Sequence, residues 1–165
     1  MFEAFLNKLG FGKKEDGLVG APIDGEAIAL SEVNDPAFSK GLLGVGLAIK
    51  PEKGRVVSPI DGKVSIFLES MHAVSVVSDG GIQLLIHVGL DTVNLKGRYF
   101  KGYVKAGDRV RAGDLLLEFE MDRIKAEGYD VISPVVVCNA ADFSEVLTFE
   151  GKHVKELDKV MQVTK

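Results

Sequence analysis

The spacing of apolar positions changes once along this chain, near residue 17. Before it, Met1, Phe2, Phe5, Leu6 and Leu9 fall on one side of a helix at about 100° per residue, with Glu3, Asn7 and Lys8 off that side. Gly10 and Gly12 break the pattern, and Lys13 and Lys14 follow. Residues 1–16 therefore read as an amphipathic N-terminal tail. It is either a helix packed on its own domain, a plain flexible tail, or a segment that touches a membrane surface or a partner. The stretch before Gly10 is too short for a stable helix in water, so helix is expected only against a surface. From Gly17 onward, short runs of Val, Ile and Leu are punctuated by Gly, Asp and Pro, which is the texture of strands and tight turns. Residues 17–165 read as one domain.

That domain contains an echo. "APIDGEAIAL" at 21–30 returns as "SPIDGKVSIF" at 58–67, each with a proline ahead of an Asp-Gly turn and an apolar strand leaving it. "VKAGDRVRAGDLLLEFE" adds two Ala-Gly-Asp turns that bracket a short strand. Helices are few. Asp35 and Pro36 open a short one as N-cap and first residue, and "MDRIKAEG" makes another that stops at Gly128. Repeated turn-strand units predict an all-β fold: an antiparallel β-sandwich or flattened barrel with an internal repeat.

One stretch, "HAVSVVSDGGIQLLIHVGLDTV" at 72–93, reads as a hairpin with a histidine near each end. If Asp79-Gly80 forms a two-residue turn, Ser78 opposes Gly81 and His72 stands directly opposite His87, with Cβ atoms about 4.5–5.5 Å apart. If the loop is Gly80-Gly81, Val74 opposes His87 and the histidines are diagonal neighbours. A three-residue loop breaks this alignment. The first pairing puts Ala73, Ser75 and Val77 with Ile82, Leu84, Ile86 and Val88 on a core face. Val74, Val76, Ser78, Gln83 and Leu85 then join the histidines on a mixed outer face, where Ser70 also falls opposite Gly89.

Composition narrows the chemistry. With 165 residues, 46% hydrophobic, 27% charged and a net charge of -4, the chain matches an ordinary soluble domain and has no basic footprint for nucleic acid. No run approaches the ~18 apolar residues of a membrane span, and no signal-peptide pattern opens the chain. Cys138, the single cysteine, lies beside an apolar run and reads as a buried structural thiol in a reducing cytoplasm. The histidine pair admits three chemistries. A zinc site wants three or four protein ligands, and no third one is evident near His72 and His87, so zinc there is at most adventitious. His153 lies in a charged stretch and reads as solvated. A triad could be drawn from Ser70, either histidine and Asp91, but it lacks a nucleophile elbow and an oxyanion hole. The third option is attack on phosphorus by one imidazole while the other donates to the phosphoryl oxygens. The residues favour this option modestly.

"GIQLLIHVGLDTV" resembles the active-site signature of the glucose-type enzyme IIA of the bacterial phosphoenolpyruvate-dependent sugar phosphotransferase system. Gly81, His87, Gly89, Thr92 and Val93 stand where the signature asks. "APIDGE", "NDPAF", "GLAIKP", "VVSPIDGKV", "HA", "VKAGDRVRAGD" and "SPVVV" come in the family's order. The resemblance implies that His87 accepts a phosphoryl group on Nε2 from the histidine-containing phosphocarrier protein and passes it to a cysteine of the IIB domain of a sugar permease. It implies that His72 lines the site and assists, and that Ser70, where relatives usually carry threonine, orients His72. Asp35 and Asp91, with Val93, would meet the protein partners. No cofactor is implied.

Two features depart from the family. "ESMHA" replaces the usual residues before the first histidine, and Val45 stands where relatives often have an acidic side chain. Both bear on partner choice. Residues 1–14 resemble a segment that in some relatives lies on the membrane beside the permease, so a cytoplasmic protein with weak contact at the inner membrane face is expected. A rival reading, a biotinyl or lipoyl carrier built on the Gly-Asp hairpin, lacks the acceptor-lysine motif.

Overall fold

The computed structural model describes residues 17–165. The predicted N-terminal tail, residues 1–16, lies outside the described residues. Strands dominate, and every pairing among them is antiparallel. An eight-stranded sheet runs in the order Arg109–Val110, Gly62–Phe67, Ala73–Ser78, Gln83–His87, Ser133–Val137, Val45–Pro51, Gly25–Ala29 and Lys152–Val154. Two three-stranded sheets pack with it: Arg55–Val57, Leu115–Phe119 and Phe100–Gly102 in one, Glu145–Thr148, Lys159–Thr164 and Leu18–Gly20 in the other. The main core contains Val19, Ile23, Leu47, Ile49, Val74, Val76, Leu84, Ile86, Leu116, Leu117 and Met161, all buried. This is the sandwich that the punctuation predicts.

The sequence echo is a structural one. Asp24 Oδ1 accepts from the Glu156 backbone N–H at 2.7 Å, and Asp61 Oδ1 accepts from that of Ala112 at 2.8 Å. Ala21 donates to the Asp158 carbonyl as Ser58 donates to that of Asp114, and Leu157 and Gly113 return bonds to Ala21 and Ser58. Each motif thus grips a turn of the same design, in which Asp158 or Asp114 accepts from the N–H three residues before it. The glycines after the aspartates are compulsory: a Cβ would come within 2.1 Å of the Lys50 carbonyl at Gly25 and 2.2 Å of the Val77 carbonyl at Gly62. The Lys105 turn of "VKAGDRVRAGD" is closed in the same way by Asp108, so this hairpin is scaffold.

A second, smaller core covers the other face of the large sheet. Ile28, Val33, Phe38, Ala48, Leu90, Ile132 and Val136 pack there beneath the segment that follows Ala29. The short helix Pro36–Ser39 belongs to this layer. Asp35 caps it as predicted, its Oδ1 accepting from the Ala37 N–H at 3.0 Å. The helix Met121–Ala126 also forms, and Gly128 follows it with φ +95°.

The hairpin register differs from the predicted one. Val77 pairs with Gln83 and Ala73 with His87, so the loop between Ser78 and Ile82 is the three-residue stretch 79–81. Ser78 Oγ accepts from the Ile82 N–H at 2.9 Å, and Gly81 turns left-handed at φ +93° to close the loop. Asn139, distant in sequence, holds it by accepting from the Gln83 N–H and donating to the Gly81 carbonyl. The one-residue difference exchanges the faces of the first strand. Val74 and Val76 point into the main core with Leu84 and Ile86, while Ala73, Ser75 and Val77 share the outer face with Gln83, Leu85 and His87. Cys138 is also corrected. It sits just past the end of the buried strand Ser133–Val137 and is exposed.

Candidate functional site

In the observed register His87 faces Ala73, and His72 precedes the paired residues. The two rings still meet. Met71 adopts φ +59°, and the chain bends so that the His72 backbone carbonyl accepts from the Val88 N–H at 2.6 Å. The imidazoles then stand nearly perpendicular, with centroids 4.8 Å apart and planes at 84°. A tertiary bend brings together what the predicted cross-strand pairing was expected to bring together.

The two histidines are held differently. His87 Nδ1 lies 2.8 Å from the Gly89 carbonyl. A carbonyl can only accept, so Nδ1 carries the proton and Nε2 keeps its lone pair. His72 Nδ1 lies 2.6 Å from Ser70 Oγ. If the hydroxyl donates, His72 presents Nε2–H as a neutral donor. His72 is only 4% exposed, which overturns the expectation that it lies at the surface. Burial, then the neighbouring His87, lowers its pKa from 6.5 to about 4. Burial also lowers that of His87, opposed by the bond to Gly89 and by the charges of Asp35 and Asp91. Both rings are therefore neutral near pH 7, one with a free nitrogen lone pair and the other able to donate.

The remaining predicted residues surround this pair. Asp35 and Asp91 bear electrostatically on His87, with Asp35 half-buried and Asp91 exposed. Val93 is 51% exposed, and Leu42, Leu43 and Val45 add further exposed apolar surface elsewhere on the chain. A triad does not assemble on one ring, because Ser70 bonds His72 while the charge of Asp91 falls on His87. Among the described residues, no three His, Cys, Asp or Glu side chains cluster as a metal site. His153 is exposed and bonds Glu52 at 2.8 Å.

Sequence reasoning missed Phe38. Its ring lies 5.0 Å from that of His87 at 58°, with the side chain buried in the second core. The Asp35-Pro36 signal locates the helix, but nothing in the sequence says which histidine the helix covers. A cleft of about 1170 Å³ lined by Gly17, Ile60, Ser78, Ile82 and Val163 lies at the turn end of the hairpin and includes none of the predicted site residues.

Residues 18–143 match the family model described as phosphoenolpyruvate-dependent sugar phosphotransferase system, EIIA 1. The chain belongs to this family. It is a phosphoryl-transfer component of the sugar phosphotransferase system. A glucose-specific EIIA component of Oceanobacillus iheyensis is 43% identical over 78% of this chain and 78% of its own. The beta-glucoside-specific EIIBCA component of Bacillus subtilis is 48% identical over 87% of this chain, which spans only 22% of that longer protein. Glucose permease IIA from Mycoplasma capricolum superposes with a TM-score of 0.80 at 32% identity, covering 87% of this chain and 93% of that one. Among the described residues, no helix is long and apolar enough to cross a membrane.

Proposed function

We propose that His87 Nε2 is the phosphoryl acceptor, that His72 assists transfer, and that Ser70 orients His72. The observation that carries this reading is the bond from His87 Nδ1 to the Gly89 carbonyl, which leaves Nε2 as the nucleophilic nitrogen beside a second neutral imidazole. In the first transfer, the N–P bond to the histidine of the phosphocarrier breaks as a bond from Nε2 to phosphorus forms. The leaving imidazole takes back its electron pair. Positive charge develops on the ring of His87, and the carbonyl at Nδ1 stabilises it. His72 Nε2–H donates to a phosphoryl oxygen as charge spreads over the three oxygens. In the second transfer, a permease IIB thiolate attacks phosphorus and the Nε2–P electron pair returns to His87.

Docking of both partners is assigned to the surface around Val93, with Asp35 and Asp91 at its rim. Apolar centres supply affinity, and rim charges steer encounter. Incubation with phosphoenolpyruvate, enzyme I and the phosphocarrier is expected to give an acid-labile label on His87. His87→Ala should lose that label while keeping its fold, because the ring is half-buried at the edge of the second core. Normal labelling of His87→Ala would overturn the reading.

A further inference from the structure

The acceptor nitrogen depends on where the Gly89 carbonyl points, and that direction is set by two other groups. The carbonyl of Gly89 and the N–H of Leu90 share one planar peptide unit and point opposite ways. Leu90 N–H donates to the Asp130 carbonyl at 3.0 Å, which fixes the plane and aims the Gly89 carbonyl at His87. The preceding plane joins Val88 to Gly89. Its carbonyl accepts from Thr92 Oγ1 at 2.5 Å, and the Thr92 side chain is fully buried. Both planes that flank Gly89 are therefore clamped. The space at Gly89 is filled by the same two residues: an added Cβ would meet Thr92 Cγ2 at 2.6 Å and the Asp130 carbonyl at 2.8 Å. Gly89 itself stands at φ +78° and Asp91 at φ +59°, so the loop keeps a conformation its backbone would not choose unaided.

We propose that the Thr92 hydroxyl, acting with the Asp130 carbonyl, is a positioning group that aims the Gly89 carbonyl at His87 and thereby keeps the proton on Nδ1 and the lone pair on Nε2. Thr92 does not touch the transferred group. Its methyl packs beside Gly89, and its hydroxyl satisfies the Val88 carbonyl, a buried acceptor that would otherwise lack this donor. Without the hydroxyl that plane can turn, and the imidazole is free to move its proton to the other nitrogen. A proton on Nε2 would remove the lone pair that attacks phosphorus. The inference rests on the acceptor reading for its consequence, but the tautomer can be measured without any phosphorylation.

The experiment compares Thr92→Val, which preserves shape and loses the hydroxyl, with Thr92→Ser, which preserves the hydroxyl and loses the methyl. Nitrogen-15 correlation spectra of the unphosphorylated full chain at pH 8 report the tautomer of His87. The native protein and Thr92→Ser should show Nδ1 protonated and Nε2 bare. Thr92→Val should show the two nitrogen signals moving toward each other as both tautomers populate, together with a roughly tenfold slower labelling by the phosphocarrier. If Thr92→Val does not fold, Thr92→Ala provides the same readout. A folded hydroxyl-free variant with the native tautomer would overturn the proposal, and so would Thr92→Ser behaving like Thr92→Val. Failure of the native protein to accept a label would count against the acceptor reading alone.

Discussion

The two ends of one hairpin are built on opposite terms. At the turn end, 78–82, local groups close the loop: the Gly81 N–H donates to the Ser78 carbonyl, and Ser78 Oγ accepts from Ile82. The single left-handed residue there is a glycine in open space, since a Cβ on Gly81 would meet nothing within 4 Å. At the histidine end, Met71, Gly89 and Asp91 are all left-handed, two of them without being glycine. Carbonyls and hydroxyls from His72, Thr92 and Asp130 hold that end together. The turn end adds Asn139 and Arg109 as outside supports, but it asks no left-handed conformation of a residue other than glycine. The histidine end is held by its surroundings, and that is where backbone strain is expected at a site of chemistry.

Substituting equivalent glycines breaks the comparison most sharply. Gly89→Ala places a Cβ against Thr92 and Asp130 at a positive φ, so a loss of about 3 kcal/mol or more in stability is expected. Phosphoryl acceptance should fall more than tenfold with it. Chemical denaturation together with labelling checks both effects.

Acidification should weaken the histidine end next. The His72 pKa is about 4 in the fold against 6.5 ordinarily, so between those values the unfolded chain binds the extra proton. Stability is then full above pH 6.5 and declines as pH falls toward 4, with His87 shifted in the same direction. The contribution is on the order of 2 kcal/mol. Urea unfolding across this range, with His72→Gln as the control that removes the His72 share, measures it.

His72→Gln at neutral pH comes third. The side chain is buried and bonded to Ser70, so about 1–2 kcal/mol of stability should be lost. Labelling of His87 should survive while onward transfer to the IIB thiol slows more. Equal slowing of both steps would show that His72 serves the acceptor's geometry alone. The smallest effect is expected at the turn. Gly81→Ala costs only the left-handed penalty of about 1 kcal/mol and should leave transfer unchanged.

Much of this molecule was legible in the residues. Asp35-Pro36 announced its helix because an N-cap is a local hydrogen bond. The repeated Pro-Ile-Asp-Gly announced two bends ahead of strands, although the partners of their aspartates, the N–H groups of Glu156 and Ala112, lie far off in the chain. The signature around His87 carried the family. The hairpin register was legible only in its alternatives. Asp79-Gly80 suits a two-residue loop, yet the Ser78 hydroxyl and Asn139 stabilise a three-residue one, and the core takes Val74 and Val76 inward. Cys138 misled because apolar neighbours in sequence do not bury a residue that sits past the end of its strand.

By itself, the sequence determined that this chain is a β-sandwich of Asp-Gly turns with two histidines flanking one hairpin. Those features rest on periodicity and on the local backbone preferences of Pro, Asp and Gly. Only the tertiary structure decided how the histidines meet. Their contact depends on the bend at Met71, on Phe38 arriving from another layer, and on the Asp130 carbonyl meeting Leu90 across 40 residues of chain. Such contacts have no local signature, because they form only when packing of the whole core brings the strands into one register.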